Sequence, residues 1–449
     1  MIRDMTAGNP SNIIISYSVP IVLSGMFQQF YNIADSLIAG KYAGVNALAA
    51  VGASYPITML FIAVATGAGM GCSVVISQIF GEKNYRSMKT AASTAVFSML
   101  FLSMLLTAVG LLANNVLMKL MNTPGEVFKD GALYLRIYFC GLLFLFLYNI
   151  STAIFNGLGD SRTPLYFLIF SSLFNIILDY VFVAVLHMGV AGVAWATFIA
   201  QGISSVLSAV TLLHRLRAIV SEGKTQWFEK ALFLKMSRIA VPSIIQQSVV
   251  SIGQLLVQAL VNSYGASVIA GYSAAIKLDS FFKMTIISIS NGVSSFTAQN
   301  AGARKLDRVK KGGFAAGKMC LLYSVVSVVI VRIAGKFMIG WFISADTSDK
   351  ITKQVLSVGT TYMNVVTLFY FACAVLLICN GVMRGTGYMC GFTVTTFTDL
   401  TLRVAGAYIL AYFIGYNAIW WSIPIGWTVG MCIALCFILK GKWKKAWES

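Results

Sequence analysis

Charge is scarce in this sequence. Only 11% of its 449 residues are Asp, Glu, Lys or Arg, against about 25% in soluble domains. Acids are the scarcer sign, 15 against 33 basic residues, so any acid inside an apolar stretch stands out. Histidine is limited to two residues. His187 and His214 lie near the ends of apolar stretches, apart from any partner that would complete a metal site. The eight cysteines have no framework. Cys72, Cys140, Cys320, Cys373, Cys432 and Cys436 fall within apolar stretches, where a thiol acts as a small hydrophobe. Cys432 and Cys436 share a helix face without a His or acid beside them. No Gly-x-x-x-x-Gly-Lys-Ser/Thr loop is present to cradle phosphates, so direct ATP drive is not expected. Neither a nucleophile paired with a base nor a metal cluster falls inside the apolar stretches, so an enzyme is not expected and no cofactor is implied.

Apolar residues dominate instead. They make up 58% of the chain, and the mean hydropathy is +0.80. A membrane-crossing helix needs about 20 mainly apolar residues. Such stretches recur near 13–38, 50–78, 91–112, 131–155, 164–186, 190–213, 239–261, 268–298, 315–334, 357–380, 391–413 and 417–439. The sequence therefore predicts an all-α polytopic membrane protein with twelve spans. Met1-Ile2-Arg3-Asp4 is polar and no small-residue cleavage site follows the first stretch, so no removable signal peptide is expected.

The basic residues cluster in alternate connections. Lys83, Arg86 and Lys89, then Arg215 to Arg238, then Arg304 to Lys318, and finally Lys440 to Lys445 fall on one side if the N-terminus is inside. The positive-inside rule then puts both termini in the cytoplasm. The net charge of +18 follows from these clusters, which suit anionic lipid headgroups. Charges scattered over short loops do not make a nucleic-acid surface. Trp420 and Trp421 open the last span while Trp443 and Trp447 follow it, as interfacial anchors would. Asp346, Thr347, Ser348, Asp349 and Lys350 give a long polar connection on the outer side.

The chain also repeats itself. Gln78-Ile79-Phe80-Gly81 recurs as Gln299-Asn300-Ala301-Gly302, and the same offset pairs Gly71 with Gly292 and Gly44 with Gly265. With small shifts, Val19-Pro20 matches Val241-Pro242, and Asn156-Gly157 matches Asn380-Gly381. Two homologous six-helix bundles are expected, over residues 1–213 and 239–449, joined by a basic linker at 214–238.

Polar groups inside spans carry the functional signal, because an ionisable side chain in hydrocarbon costs several kcal/mol unless it faces the bundle interior. Gln28, Asn32 and Asp35 fall on one face of the first span; Ser172, Asn175 and Asp179 fall on one face of the fifth. Thr197 lies at matched depth in the sixth. These groups are expected to converge in the first bundle. Two carboxylates there cannot both carry charge cheaply, so the pair should act as one coupled unit. It could take a proton, or bind Na⁺ through carboxylate, amide and hydroxyl oxygens. Interhelical hydrogen bonding alone is the plainer alternative.

These residues resemble the multidrug and toxic compound extrusion (MATE) family, and in particular its DinF-like branch. The likeness rests on the twelve-span duplication, Pro20 with Gln28 and Asp35, Asn175-x-x-x-Asp179, and Gly192-x-x-x-Ala196-Thr197. It implies two pseudo-symmetric six-helix bundles forming a V, which alternate between outward- and inward-open states. It also implies antiport of amphipathic, often cationic compounds against inward H⁺ or Na⁺. The implied cation site is Asp35, Asn175, Asp179 and Thr197. Gln28, Asn32, Tyr134 and Asn149 would line the substrate cavity, and Pro20 would let the first helix bend. A monomer in a prokaryotic cell membrane is expected, in contact with lipids and small-molecule substrates and not with nucleic acid.

The second half lacks this acid pair. Val257 stands opposite Asp35; at the Asn-Gly shift, Arg403 stands opposite Asp179 and Asp399 opposite Asn175. Lys277, Asp279 and Lys283 lie in the eighth span. Pairing of these charges, or electrostatics of a cavity, is the expected role. Lipid-linked oligosaccharide flippases share the duplicated architecture, and Lys277, Lys283 and Arg403 could serve a pyrophosphate. A flippase is therefore the alternative reading.

Overall fold

The computed structural model describes residues 2–121, 123–343 and 349–444, apart from the side chains of residues 36, 39, 45, 46 and 48. The described residues are nearly all helical and contain no strand. In the first half the helices are α1 (Pro10–Ile38), α2 (Val45–Gly81), α3 (Tyr85–Leu120), α4 (Gly125–Cys140), α5 (Leu142–Gly157), α6 (Arg162–Asp179) and α7 (Gly189–Ala218). The second half holds α8 (Lys230–Asn262), α9 (Ala266–Gly302), α10 (Leu306–Gly340), α11 (Asp349–Leu368), α12 (Tyr370–Thr386), α13 (Met389–Ile414), α14 (Tyr416–Ile419) and α15 (Ser422–Leu439). Short π-helical stretches continue α1 over Ala39–Ala43 and α6 over Tyr180–Val185.

Among the described residues nine helical stretches are long and apolar enough to cross a membrane. The total reaches eleven when α4 with α5 (bent by 48°) and α11 with α12 (bent by 52°) each make one span. The twelve expected spans are thus eleven by this measure. The remaining expected span, 268–298, is α9, a 37-residue helix set apart by Lys277, Asp279 and Lys283.

The repeat is written into the backbone. Gly44 and Gly265 cap α2 and α9 at φ 89° and 90° with extended ψ, a conformation nearly reserved to glycine. The same two helices end alike. Lys83 and Arg304 are left-handed (φ 59° and 57°), and Asn84 N–H and Lys305 N–H reach back to the carbonyls of Ile79 and Asn300. That six-to-one closure is the Schellman motif, and it accounts for the doubled run ending in Gly81 and Gly302. One pairing needs correction. The bends at Gly141 and Phe369 and the left-handed Gly159 and Gly387 align the halves one helical turn away from the Asn-Gly pairing. Gly157 therefore corresponds to Gly385, and Arg384 takes the place of Asn156. In that register Ala407 falls opposite Asp179, so the second half again has no acid there.

Compactness divides the chain into two units: Met1–Asp4 with Val19–Ser248, and Met5–Ser18 with Val249–Ser449. The units depart from chain order at α1 and α8, each of which changes unit part-way along. In the first unit, α2 presents Gly67 and Gly71 to α8, where added Cβ atoms would strike the backbone of Ile244 and Ala240. Small residues one turn apart let helix backbones approach closely, which is the usual way helices associate in lipid. In the second unit Gly292, the repeat partner of Gly71, faces Ser18 of α1.

The stretch leading into each of these helices is also tied down. In the first unit Arg86 donates to the Lys224 carbonyl, and Thr90 and Thr94 accept from the backbone N–H groups of Gln226 and Glu229. In the second unit Gln299 accepts from Met5 N–H, while Asn300 and Arg308 donate to the Met5 carbonyl. The central linker is partly helical: α7 runs to Ala218 and α8 starts at Lys230.

Two expected anchors are buried. Trp420 is stacked on Tyr272 and fully enclosed, and Trp443 donates to the Ile438 carbonyl from a buried position. Apolar packing within the second unit outweighs an interfacial place for both rings. Trp421 is exposed, whereas Trp447 and the polar residues Asp346, Thr347 and Ser348 lie outside the described residues.

Candidate functional site

Four elements of the first unit bring the site together: α1, α4, α6 and α7. Asp35 lies in the last turn of α1, just before the π-helical stretch that follows. Asp179 is the last residue of α6, immediately before the other π-helical stretch. A π turn widens the helix and breaks its hydrogen-bond register, and such turns gather at functional sites. The two stretches touch through Tyr42 and Tyr180, whose rings meet edge to face at 5.9 Å. Val183 and Val193 pack with Ile38, Ala43 and Tyr134 beneath them.

Asp179 is fully buried, and one of its carboxyl oxygens has no hydrogen-bond partner. Asp35 is half-buried, and it too has a buried oxygen without a partner. The two carboxyl groups come within hydrogen-bonding reach of each other. Two bare carboxylates cannot bond to one another, so this approach calls for a proton or a cation between them.

Asn175, one turn before Asp179, orients it. The amide orientation that satisfies the local network has the NH₂ donating to Asp179 Oδ2 at 2.7 Å and the carbonyl accepting from Thr197 N–H at 3.1 Å. Asn175 and Thr197 thus tie α6 to α7 around the acid. Tyr31, one turn before Asp35 on α1, lies against the Thr197 side chain and near Asp35, Asp179 and Tyr134. Tyr134, from α4, lies near both acids as well.

The structure therefore brings Asp35, Asn175, Asp179, Thr197 and Tyr134 together. Gln28 and Asn32 are exposed on α1, outside this buried group. Asn149 donates to the Leu145 carbonyl of its own helix at 2.8 Å and sits against Gly69 of α2. The helix α1 runs unbroken through Pro20, whose carbonyl accepts from Ser24 Oγ at 2.9 Å. Tyr31 was missed by the sequence reading, although its one-turn spacing from Asp35 was there to be read. The polar face that runs through Gln28 and Asn32 does not include it.

Comparison with known proteins agrees with the duplicated fold. The MatE family profile matches twice, over residues 20–181 and 242–409. The chain is 28% identical to the "Probable multidrug resistance protein YpnP" of Bacillus subtilis (strain 168), covering 98% of this chain and 97% of the relative. It is 25% identical to the "Probable multidrug resistance protein NorM" of Thermotoga maritima, over 96% of this chain and 93% of that one. Among solved structures, one described as "Crystal structure of MATE in complex with MaL6" superposes with a TM-score of 0.91 at 21% identity, covering 99% of both chains. The profile spans both halves and most of the chain, so the protein belongs to the MATE family of multi-pass membrane transporters.

Proposed function

We propose that the protein exports amphipathic, often cationic compounds across the cell membrane of a prokaryote in exchange for an inward cation, by alternating access. The two units would act as the paired bundles, and Asp35 with Asp179 would hold the coupling ion. One observation carries the reading: two carboxyl groups in mutual reach, each with a buried oxygen that has no partner. A structural pair would be expected to satisfy those oxygens, because an unmet buried acceptor costs about 1–3 kcal/mol.

The geometry favours H⁺ over Na⁺. A Na⁺ site would draw on the Asn175 carbonyl, but that oxygen accepts from Thr197 N–H and the amide turns its NH₂ toward Asp179. A single proton shared between the two carboxyls needs no further ligand. The cation biases the equilibrium only by its differing affinity for the two states, so the pair must be remade between them.

The deciding experiment is transport in proteoliposomes with the pH and Na⁺ gradients imposed one at a time. Efflux that follows the pH gradient is expected. Efflux that follows Na⁺ alone would keep the site and change its ion, whereas indifference to both gradients would favour the flippase reading.

A further inference from the structure

A second charged cluster lies wholly within the second unit. Asp279 and Lys283 are one turn apart on α9, and Asp399 and Arg403 are one turn apart on α13. Asp279 is fully buried and its oxygens are engaged: Oδ1 accepts from Tyr370 OH at 2.8 Å, while Oδ2 accepts from Tyr362 OH at 3.0 Å and Lys283 Nζ at 2.6 Å. Asp399 Oδ2 accepts from the Arg403 guanidinium at 2.7 Å. Its other oxygen and the Arg403 Nε are buried without partners. Both cations lie over one indole, Trp427, at 5.8 Å for Lys283 and 5.9 Å for Arg403.

The Lys283–Asp279 pair is polarised, whereas Arg403 and Asp399 keep 15% and 13% of their side chains accessible. Lys283 keeps 19% of its side chain accessible while Asp279 keeps none. Each cation makes one described hydrogen bond, although an ammonium offers three donors and a guanidinium five. A cation turned toward hydrocarbon costs several kcal/mol, so the accessible side of these groups must meet water or a polar ligand. Both cations thus keep spare donors, and Asp399 keeps one oxygen without a partner.

We propose that Lys283 and Arg403, both held close to the Trp427 ring, form a binding site for a carboxylate or phosphate group on an amphipathic ligand. Asp279 and its two tyrosines fix Lys283, and Asp399 holds the guanidinium in place while competing with the ligand for it. Trp427 is buried, so it positions the two cations and leaves their accessible sides to the ligand. This site is in a different unit from Asp35 and Asp179 and binds without any ion gradient, so it stands or falls apart from the coupling reading.

The test uses two probes with one fluorophore and opposite charge, dansylglycine and dansylcadaverine. They are titrated onto the full protein in phosphatidylcholine nanodiscs and read by energy transfer from tryptophan. Dansylglycine is expected to bind saturably and at least about tenfold more tightly than dansylcadaverine. Arg403→Gln should weaken dansylglycine by about tenfold or more, the worth of a charge-assisted bond. Asp399→Asn keeps both cations and removes their competitor, so it should tighten dansylglycine roughly threefold or more. A purely structural pair predicts no such gain. Absence of a preference for dansylglycine overturns the proposal, and so does equal binding by wild type and both variants. Discs containing phosphatidylglycerol then separate two sources of the same chemistry: displaced probe identifies a lipid headgroup as the occupant, and retained probe identifies a dissolved anion.

Discussion

Gly71→Ala should loosen the first unit, while the same change at its repeat partner Gly292 should be nearly silent. A Cβ on Gly71 falls 2.5–2.6 Å from the N, Cα and Cβ of Ala240, where carbon contacts settle at about 3.5–4.0 Å. Backbone has no rotamer to adopt, so α2 and this part of α8 must part by about 1 Å. Gly67 meets Ile244 N and Cα at 2.7 and 2.6 Å, so the seam has no slack one turn away either. Overpacking of this kind costs about 1–3 kcal/mol, and the rigid neighbours put Gly71→Ala in the upper half of that range. At Gly292 the first atom met is Ser18 Oγ, which can rotate to another staggered well, so the cost should stay below about 1 kcal/mol. The assay is thermal unfolding of purified variants in one detergent. At roughly 2–4 °C per kcal/mol, Gly71→Ala should melt about 4–12 °C below wild type and Gly292→Ala within about 4 °C of it. Equal shifts for the two variants would refute the claim that backbone and hydroxyl neighbours differ in what they tolerate.

Asp35→Asn and Asp179→Asn should each abolish gradient-driven efflux while leaving expression and insertion intact; undiminished coupled transport in both would remove the paired-carboxyl site. Tyr31→Phe deletes the hydroxyl beside Thr197, worth about 0.5–1.5 kcal/mol, and should weaken apparent affinity for the driving ion roughly two- to tenfold, read from efflux rate against ion concentration. Gly44→Ala and Gly265→Ala force alanine into a glycine-only backbone and should each cost about 1–3 kcal/mol, seen as matching falls in melting temperature. Asp160 accepts from the backbone N–H groups of Arg162 and Thr163 and from the Thr163 hydroxyl at the start of α6. Asp160→Ala should therefore cost about 0.5–2 kcal/mol of thermal stability with the coupling ion unchanged.

Much of the architecture was legible because its causes are local. A span reveals itself by composition, and the capping glycines and Schellman ends recur because each half must turn its second helix the same way. The cation cluster was legible in part. Asn175 and Asp179 share a helix face by spacing alone, and Thr197 could be matched by depth. Tyr31 was one turn from Asp35, yet a face drawn through Gln28 and Asn32 concealed it. Asn149 was named through the family resemblance, and its amide donates to the Leu145 carbonyl of its own helix. Short motifs misled where a helical turn separates two acceptable registers: Asn-Gly pairs match by letter, but the bends at Gly141 and Phe369 fix the alignment. Trp420 read as an anchor because burial depends on which neighbours arrive, here Tyr272 and Tyr362.

The sequence by itself determined an all-helical membrane chain, its duplication, and an acid pair present in only one half, since hydrophobic runs, caps and charges are properties of short stretches. Only the tertiary structure decided that Asp35 and Asp179 face each other, that Asn175 lies between Asp179 and Thr197, and that Lys283 and Arg403 share one indole. Those are contacts between helices, and spacing along a helix sets which face a residue occupies without setting what stands opposite it. The same limit explains α1 and α8. Their sequences assign each to its own half, but Gly67 and Gly71 in one unit and Gly292 in the other give their leading stretches a closer fit across the chain order than along it.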